Sequence, residues 1–307
     1  MNIGSSLYRR VVMMIAGSTF MEQASIKYGK RLASKFIASE TREGALEVVR
    51  ALNHQGIMVT LDALGEGITN MEEARTYRDE YILLIQDIAK HGVLSNVSLK
   101  PTQMGLALDP ESCYHHIHEI VSQAQQFHNF VRIDMENSPY TQATIDIVLR
   151  LHAEGLTNVG TVIQAYLYRS EQDVLHLTRH HVRLRLVKGA YQEANTIAYP
   201  RKQDVKDSFK RMIQLQLDQG AYTAIATHDD SIISWVKSYV EEKHISRESF
   251  EFQMLYGLRT SLQEELAKQG YRIRCYVPYG AKWYPYYTRR LAEKPSNLWM
   301  VLHHMFH

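Results

Sequence analysis

The segment Gly155-Leu-Thr-Asn-Val-Gly-Thr-Val-Ile-Gln164 decides the fold. Its glycine follows a helical pattern, as the left-handed residue that ends a helix does. A β-rich run, Val159–Ile163, comes next and stops at the polar Gln164. The same unit recurs along the chain. Ile57–Leu61 stops at Asp62, Val97–Leu99 at Lys100, Phe130–Ile133 at Asp134 and Val182–Leu184 at Arg185. Tyr222–Ala226 stops at Thr227, Phe250–Phe252 at Gln253 and Arg272–Cys275 at Tyr276. The endpoints fall about 20 to 40 residues apart, the size of one strand-helix unit. Gly56, Gly92, Gly220 and Gly270 stand before four of these runs as Gly155 stands before its own.

The stretches between the runs carry helical spacing, as in Ala45, Val48, Val49 and Leu52, or Tyr81, Leu84, Ile85 and Ile88. Eight alternating units predict an α/β chain folded as a (β/α)8 TIM-type barrel rather than an open doubly wound sheet. No G-x-G-x-x-G follows any run, as a dinucleotide-binding sheet would require. Residues 1–55 precede the first strand and read as extra N-terminal helices that cap the barrel or dock on its side. Arg9-Arg10 followed by Val11–Phe20 reads as part of them, not as a cleaved signal. No linker-like stretch divides the chain, so residues 1–307 form a single domain with the barrel in 56–307.

Composition narrows the function. Hydrophobic residues make up 45% of the chain and charged residues 22%, as in globular proteins with a sizeable core. The 35 basic and 33 acidic residues nearly cancel, which leaves no electrostatic footprint for nucleic acid. Cys113 and Cys275 are the only cysteines, which argues against a zinc site or disulfide framework and for a reducing, cytoplasmic setting. No stretch approaches the roughly 20 apolar residues of a membrane span.

A barrel carries its chemistry at the C-terminal ends of its strands. Here those ends present Asp62, Lys100, Asp134, Glu136, Gln164, Arg185, Lys188, Thr227, His228, Gln253 and Tyr276. Polar loop residues explain any one of them, but not so many charges converging on one mouth. Three segments are sharper. In Arg185-Leu-Val-Lys-Gly-Ala-Tyr191 a cationic strand end runs into Lys188 and Gly189, where backbone can approach a large ligand and Tyr191 can stack. In Ala226-Thr-His-Asp229 a hydroxyl and an imidazole suit phosphate or ribose. The stretch Tyr276–Tyr287 packs five tyrosines and a tryptophan into twelve residues before Arg289 and Arg290. These adjacent guanidinium forks read as a carboxylate clamp, with Glu293 one helical turn on to brace one of them. Two rival enzyme classes fit the same rim: a Schiff-base aldolase on Lys100 or Lys188, and a hydrolase whose metal is held by Asp134, Glu136 and His228. A non-catalytic binding protein is a third.

Taken in order, Leu61-Asp-Ala-Leu-Gly-Glu66, Ser98-Leu-Lys-Pro-Thr-Gln103, Arg132-Ile-Asp-Met-Glu136, Gln164-Ala-Tyr-Leu-Tyr168, Arg185–Tyr191, Ala226–Asp229, Phe250-Glu-Phe-Gln-Met-Leu-Tyr-Gly257 and Tyr276–Glu293 resemble the proline dehydrogenases, and most closely their short monofunctional bacterial members. One departure is Pro101 after Lys100, where that family more usually has leucine. The resemblance implies a distorted barrel with FAD at its mouth, metal-free, and the last helix folded over the flavin. It implies that Lys100, Arg289 and Arg290 bind the carboxylate of L-proline, and that Asp134 supports the lysine or the catalytic geometry. Arg185 would address the flavin edge that receives hydride. Tyr276, Tyr286, Tyr191 and Leu255 would enclose the pyrrolidine ring. Met135, Gln164, Arg185, Lys188, Gly189, Ala190, Thr227 and His228 would contact FAD. Expected partners are a quinone or other electron acceptor, with peripheral membrane contact, and a separate pyrroline-5-carboxylate dehydrogenase.

Overall fold

The computed structural model describes residues 36–65 and 67–293, the last five of them as helical backbone alone. Most of the N-terminal segment, residues 1–35, lies outside these. Eight parallel strands close into one barrel in sequence order. They are β1 (Met58–Ala63), β2 (Ser95–Leu99), β3 (Val131–Ile133), β4 (Val159–Gln164), β5 (Arg183–Val187), β6 (Thr223–Ala226), β7 (Phe250–Leu255) and β8 (Ile273–Tyr279). Helix α1 (Arg42–His54) precedes β1. The helices between strands are α2 (Met71–His91), α3 (Pro110–Gln126), α4 (Thr141–Ala153), α5 (Ser170–Arg179), α6 (Lys202–Asp218), α7 (Asp230–Glu242) and α8 (Thr260–Lys268); α9 (Tyr284–Glu293) comes last.

The α-to-β joints explain why the repeat was readable. Gly56, Gly92, Gly155, Gly220 and Gly270 all have positive φ, between 60° and 85°. The other three such joints take the same left-handed turn with a histidine: His128, His181 and His244, at φ 53°, 56° and 53°. Each donates its backbone N–H back to the helix it ends, and the next residue does likewise. Nothing in local sequence marks a histidine for that job, although it tolerates the conformation better than most residues.

Strand alternation then sorts the side chains. Val59, Leu61, Val97, Leu99, Val131, Ile133, Leu184 and Leu186 are wholly buried in the apolar layer beneath the helices. The intervening residues point into the lumen, and they are polar. Strands expected to end at Asp62, Arg185, Gln253 and Tyr276 in fact continue to Ala63, Val187, Leu255 and Tyr279. An inward polar residue interrupts an apolar run and so imitates a strand end. The correction moves these four side chains from the rim into the barrel.

Helix α1 buries Ala45, Leu46, Val49 and Leu52, packing on β1 and β8. That is the place where a helix following the last strand would sit in a regular barrel. With its seat taken, α9 goes elsewhere: Trp283, Tyr284, Tyr286 and Tyr287 pack with Leu64 and Leu258, which follow β1 and β7 at the C-terminal end of the barrel. The dense aromatics of Tyr276–Tyr287 are therefore mostly buried, not a surface patch.

Candidate active site

The lumen is built in two polar layers. In the lower one, Glu251 accepts from Arg274 Nε at 2.8 Å, from the Tyr222 hydroxyl at 2.8 Å and from the Gln253 amide. Burial opposes ionisation of Glu251, but Arg274 outweighs it and holds the carboxyl at about 2. Arg132 donates to the carbonyls of Thr161 and Arg183 and stacks on Phe130, with no carboxylate partner among the described residues. Burial pulls this guanidinium down to about 9, helped by Arg185.

The upper layer gathers the expected site. Arg185 on β5 donates to Asp134 Oδ1 at 2.8 Å, crossing the lumen past β4. The Ser98 hydroxyl on β2 donates to the same oxygen at 2.7 Å. The Tyr276 hydroxyl on β8 lies 2.9 Å from Asp134 Oδ2 and 2.7 Å from Asp62 Oδ2, and the Arg185 guanidinium sits over its ring at 5.2 Å. Lys100 donates to Asp62 Oδ2 at 2.8 Å but stands 3.8 Å from Asp134. The lysine's close partner is thus Asp62, while Asp134 holds Arg185 and Tyr276. Pro101 opens a short 3-10 helix, and Lys100 before it keeps the extended backbone that a residue preceding proline prefers. Substituting proline at 101 leaves the lysine where the site needs it.

Around this layer the remaining residues occupy the loops at the strand ends. Glu136 accepts from the backbone N–H and hydroxyl of Thr102, at 2.9 and 2.7 Å, which ties the β2 and β3 loops. Gln164 donates to the Glu136 carbonyl at 2.8 Å, and Met135 is buried beside them. Lys188 pairs with Asp229 at 2.6 Å, and His228 Nε2 accepts the N–H of Leu255 at 3.0 Å. Gly189 has φ 111°, and a Cβ there would lie 2.2 Å from the Tyr166 ring. Glycine is required at that crossing. Tyr191, 38% exposed, and the exposed Ala190 lie on the β5–α6 loop. Tyr286 is buried in the first turn of α9. The side chains of Arg289, Arg290 and Glu293 lie outside the described residues.

These contacts give the residues of the rival constellations other partners. Asp134 is filled by Arg185, Ser98 and Tyr276, Glu136 by Thr102, and His228 by Leu255. Among the described residues no three His, Cys, Asp or Glu side chains converge as a metal site. Lys100 and Lys188 each already contact a carboxylate, Asp62 at 2.8 Å and Asp229 at 2.6 Å.

Sequence reasoning missed the partners more than the principals. Asp62 was visible as a strand-end acid but not as the lysine's counter-ion. Ser98 and Tyr81, whose hydroxyl donates to the Ser98 carbonyl at 2.7 Å, looked like filler. The signal for Tyr81 was a hydroxyl on an otherwise aliphatic helix face.

The expected residues group into two arcs, with Tyr191, on the β5–α6 loop, beside the first. Met135, Gln164, Arg185, Lys188, Gly189, Ala190, Thr227 and His228 come from the ends of neighbouring strands β3 to β6. Lys100, Leu255, Tyr276 and Tyr286 come from the other arc, β7 through β2, and from α9. Comparison with known proteins gives this arrangement a family. The sequence matches the proline dehydrogenase family over residues 45–301. It is 43% identical to proline dehydrogenase 1 of Bacillus subtilis over 297 residues, covering 96% of this chain and 98% of that one. It is 39% identical to the proline dehydrogenase of Deinococcus radiodurans over 303 residues, covering 97% and 98%. Its fold superposes on proline utilization A from Bdellovibrio bacteriovorus, inactivated by N-propargylglycine, with a TM-score of 0.81 at 25% identity. That likeness covers 89% of this chain and 33% of the longer protein. With its barrel, its lumen network and whole-length relatives of one kind, the chain belongs to the proline dehydrogenase family.

Proposed function

We propose that the barrel mouth oxidises L-proline to Δ1-pyrroline-5-carboxylate, the first step of proline catabolism to glutamate. The observation that carries this reading, beside the family, is the joining of Lys100, Arg185, Asp134 and Tyr276 across the lumen beneath the rim where α9 packs. FAD, when bound, supplies the hydride acceptor. The residues present fit it: Arg185 Nε is buried with no hydrogen-bond partner among the described residues, and the Gly189 backbone is exposed after the end of β5. Met135, Gln164, Lys188, Gly189, Ala190, Thr227 and His228 would hold that cofactor with Arg185.

The chain's own work is binding, orientation and exclusion of water. Lys100, with Arg289 and Arg290 of α9, receives the substrate carboxylate. Tyr276, Leu255, Tyr286 and Tyr191 enclose the pyrrolidine ring and fix its C5–H for transfer at near-attack distance. Asp134 holds Arg185 and Tyr276 so that neither must reorganise during the reaction. Glu293 braces the arginine pair one turn along α9. Electrons then leave to a quinone or another acceptor, and a separate pyrroline-5-carboxylate dehydrogenase consumes the product. Among the described residues no helix is long and apolar enough to cross a membrane; contact with a quinone would be peripheral.

The purified protein is expected to be yellow, to release FAD on denaturation, and to bleach on anaerobic addition of proline. A colourless protein, or a yellow one whose spectrum proline leaves unchanged, overturns the reading.

A further inference from the structure

Tyr276 presents one phenolic proton to two aspartates. Its oxygen is 2.7 Å from Asp62 Oδ2 and 2.9 Å from Asp134 Oδ2. An ionised carboxylate is an acceptor only. With both acids ionised, one of these contacts is a hydrogen bond and the other sets lone pair against lone pair inside the barrel. One added proton makes both contacts favourable.

The surroundings say where it rests. Asp134 Oδ1 receives Arg185 at 2.8 Å and the Ser98 hydroxyl at 2.7 Å, donors that serve a carboxylate. Asp62 is 0% exposed. Among the described residues its Oδ1 has only the Tyr81 hydroxyl nearby, at 3.3 Å, and that hydroxyl lies closer to the Ser98 carbonyl, at 2.7 Å. Tyr81 also accepts the N–H of Ala63. So among the described residues one oxygen of Asp62 receives at most the long 3.3 Å contact from Tyr81, and the other faces Tyr276 and Lys100. The groups facing Asp62 are thus Tyr81 of α2, Lys100 after β2, Asp134 of β3 and Tyr276 of β8, with Arg185 of β5 behind Tyr276 and Tyr279 in electrostatic range. Burial pushes the Asp62 carboxyl up, Lys100 opposes this and Asp134 adds to it.

We propose that Asp62 carries a proton and donates it to Tyr276, which donates in turn to Asp134, so that the carboxyl 2.8 Å from Lys100 is neutral and repels the substrate carboxylate less than an ionised one would. Asp62 is then a positioning residue that acts through Lys100 and Tyr276. The proton itself rests on geometry alone; its consequence for the substrate rests on the proline reading. As pH rises and this proton leaves, Asp62 places a full negative charge beside Lys100, and affinity for an anionic ligand falls. In the linear range each pH unit weakens binding by about tenfold, one proton per ligand.

Two measurements on the full-length holoprotein test this. Infrared difference spectra of the parent against Asp62→Asn, in H2O and D2O, are expected to show a protonated-carboxyl carbonyl band that shifts on deuteration and is missing from the variant. Cyclopentanecarboxylate, which has the ring and carboxylate of proline but no titrating amine, is then bound as a function of pH. The parent's affinity is expected to decline as the infrared band titrates away. Asp62→Asn, a permanent mimic of the protonated acid, is expected to hold the parent's low-pH affinity throughout. If the variant does not fold, the band and its titration in the parent still decide. No such band in the parent overturns the proposal, as does an affinity in Asp62→Asn tenfold below the parent's low-pH value. A band without any cyclopentanecarboxylate binding supports the proton on Asp62 and overturns the proline reading.

Discussion

Replacing Arg185 with Met separates what this side chain does for the fold from what it does for the reaction. The change removes the 2.8 Å bond to Asp134, the 3.3 Å bond to Ser98 and the cation over the Tyr276 ring. A hydrogen bond to a charged group is worth about 1.5–3 kcal/mol, and breaking a buried ion pair costs about 3–5. Asp134 keeps Ser98 and Tyr276 as neighbours, which limits the penalty to the low end, about 3 kcal/mol. Urea unfolding should show this as a lower midpoint with an unchanged slope. The kinetic effect is of a different kind. If Arg185 meets charge that develops only as hydride arrives, losing one donor slows limiting flavin reduction by about 10²–10³, with proline affinity altered less than about threefold. Rapid mixing at saturating proline reads both. Arg185→Lys should regain part of the stability but less of the rate, because an ammonium has the charge without the fork. A limiting rate equal to the parent's would show that Arg185 only holds Asp134 and would remove it from the catalytic list.

The three histidines at helix ends offer a cleaner test of the fold. His128→Gly, His181→Gly and His244→Gly should each stabilise the chain, by roughly 0.5–1 kcal/mol, since the left-handed turn costs a non-glycine residue about 1–2 kcal/mol and glycine returns part of that as unfolded-state entropy; a lower melting temperature in all three would refute this. Glu251, held at about 2, binds fewer protons folded than unfolded, so its share of stability is complete above the ordinary carboxylate range and is lost as pH falls toward 2. Glu251→Gln should therefore flatten the acid limb of the stability curve while lowering stability at pH 7, and an unchanged acid limb would count against it. Tyr276 should enforce proline over 4-hydroxyproline; in Tyr276→Ser the ratio of the two kcat/KM values should narrow, and equal values already in the parent would displace Tyr276 from the ring pocket.

How much of this was legible depended on whether the signal was local. Strand-helix alternation and five glycine joints are local, and they specify a barrel because each unit repeats the same order and the same stop. The histidine joints are equally local but carry a residue that usually means something else. Strand length was misread for a physical reason. Arg185, Gln253 and Tyr276 are polar because they face the lumen, and a polar residue after two or three apolar ones reads as an end. The pairings were not legible at all. Asp134 meets Arg185 51 positions along the chain, and Tyr276 meets Asp62 across 214, distances that only barrel closure brings together.

The polar lumen also explains why the site sits deep rather than on the loops. A barrel filled with branched aliphatics would be easier to stabilise, since Lys100, Arg132, Arg185 and Arg274 set against Asp62, Asp134 and Glu251 bring desolvation costs that an apolar layer avoids. The outer apolar layer between strands and helices is continuous enough to offset them, with each fully buried aliphatic side chain contributing about 1.5–3 kcal/mol. What the arrangement secures is a field. The four cations named exceed the three carboxylates by one, and by two whenever Asp62 holds its proton. Buried in a low-dielectric barrel, that surplus favours negative charge at the mouth, where a carboxylate would arrive. Arg132 touches neither arc of the mouth, so its effect would be purely electrostatic: neutralising it should weaken every anionic ligand by a similar factor and leave discrimination among rings unchanged.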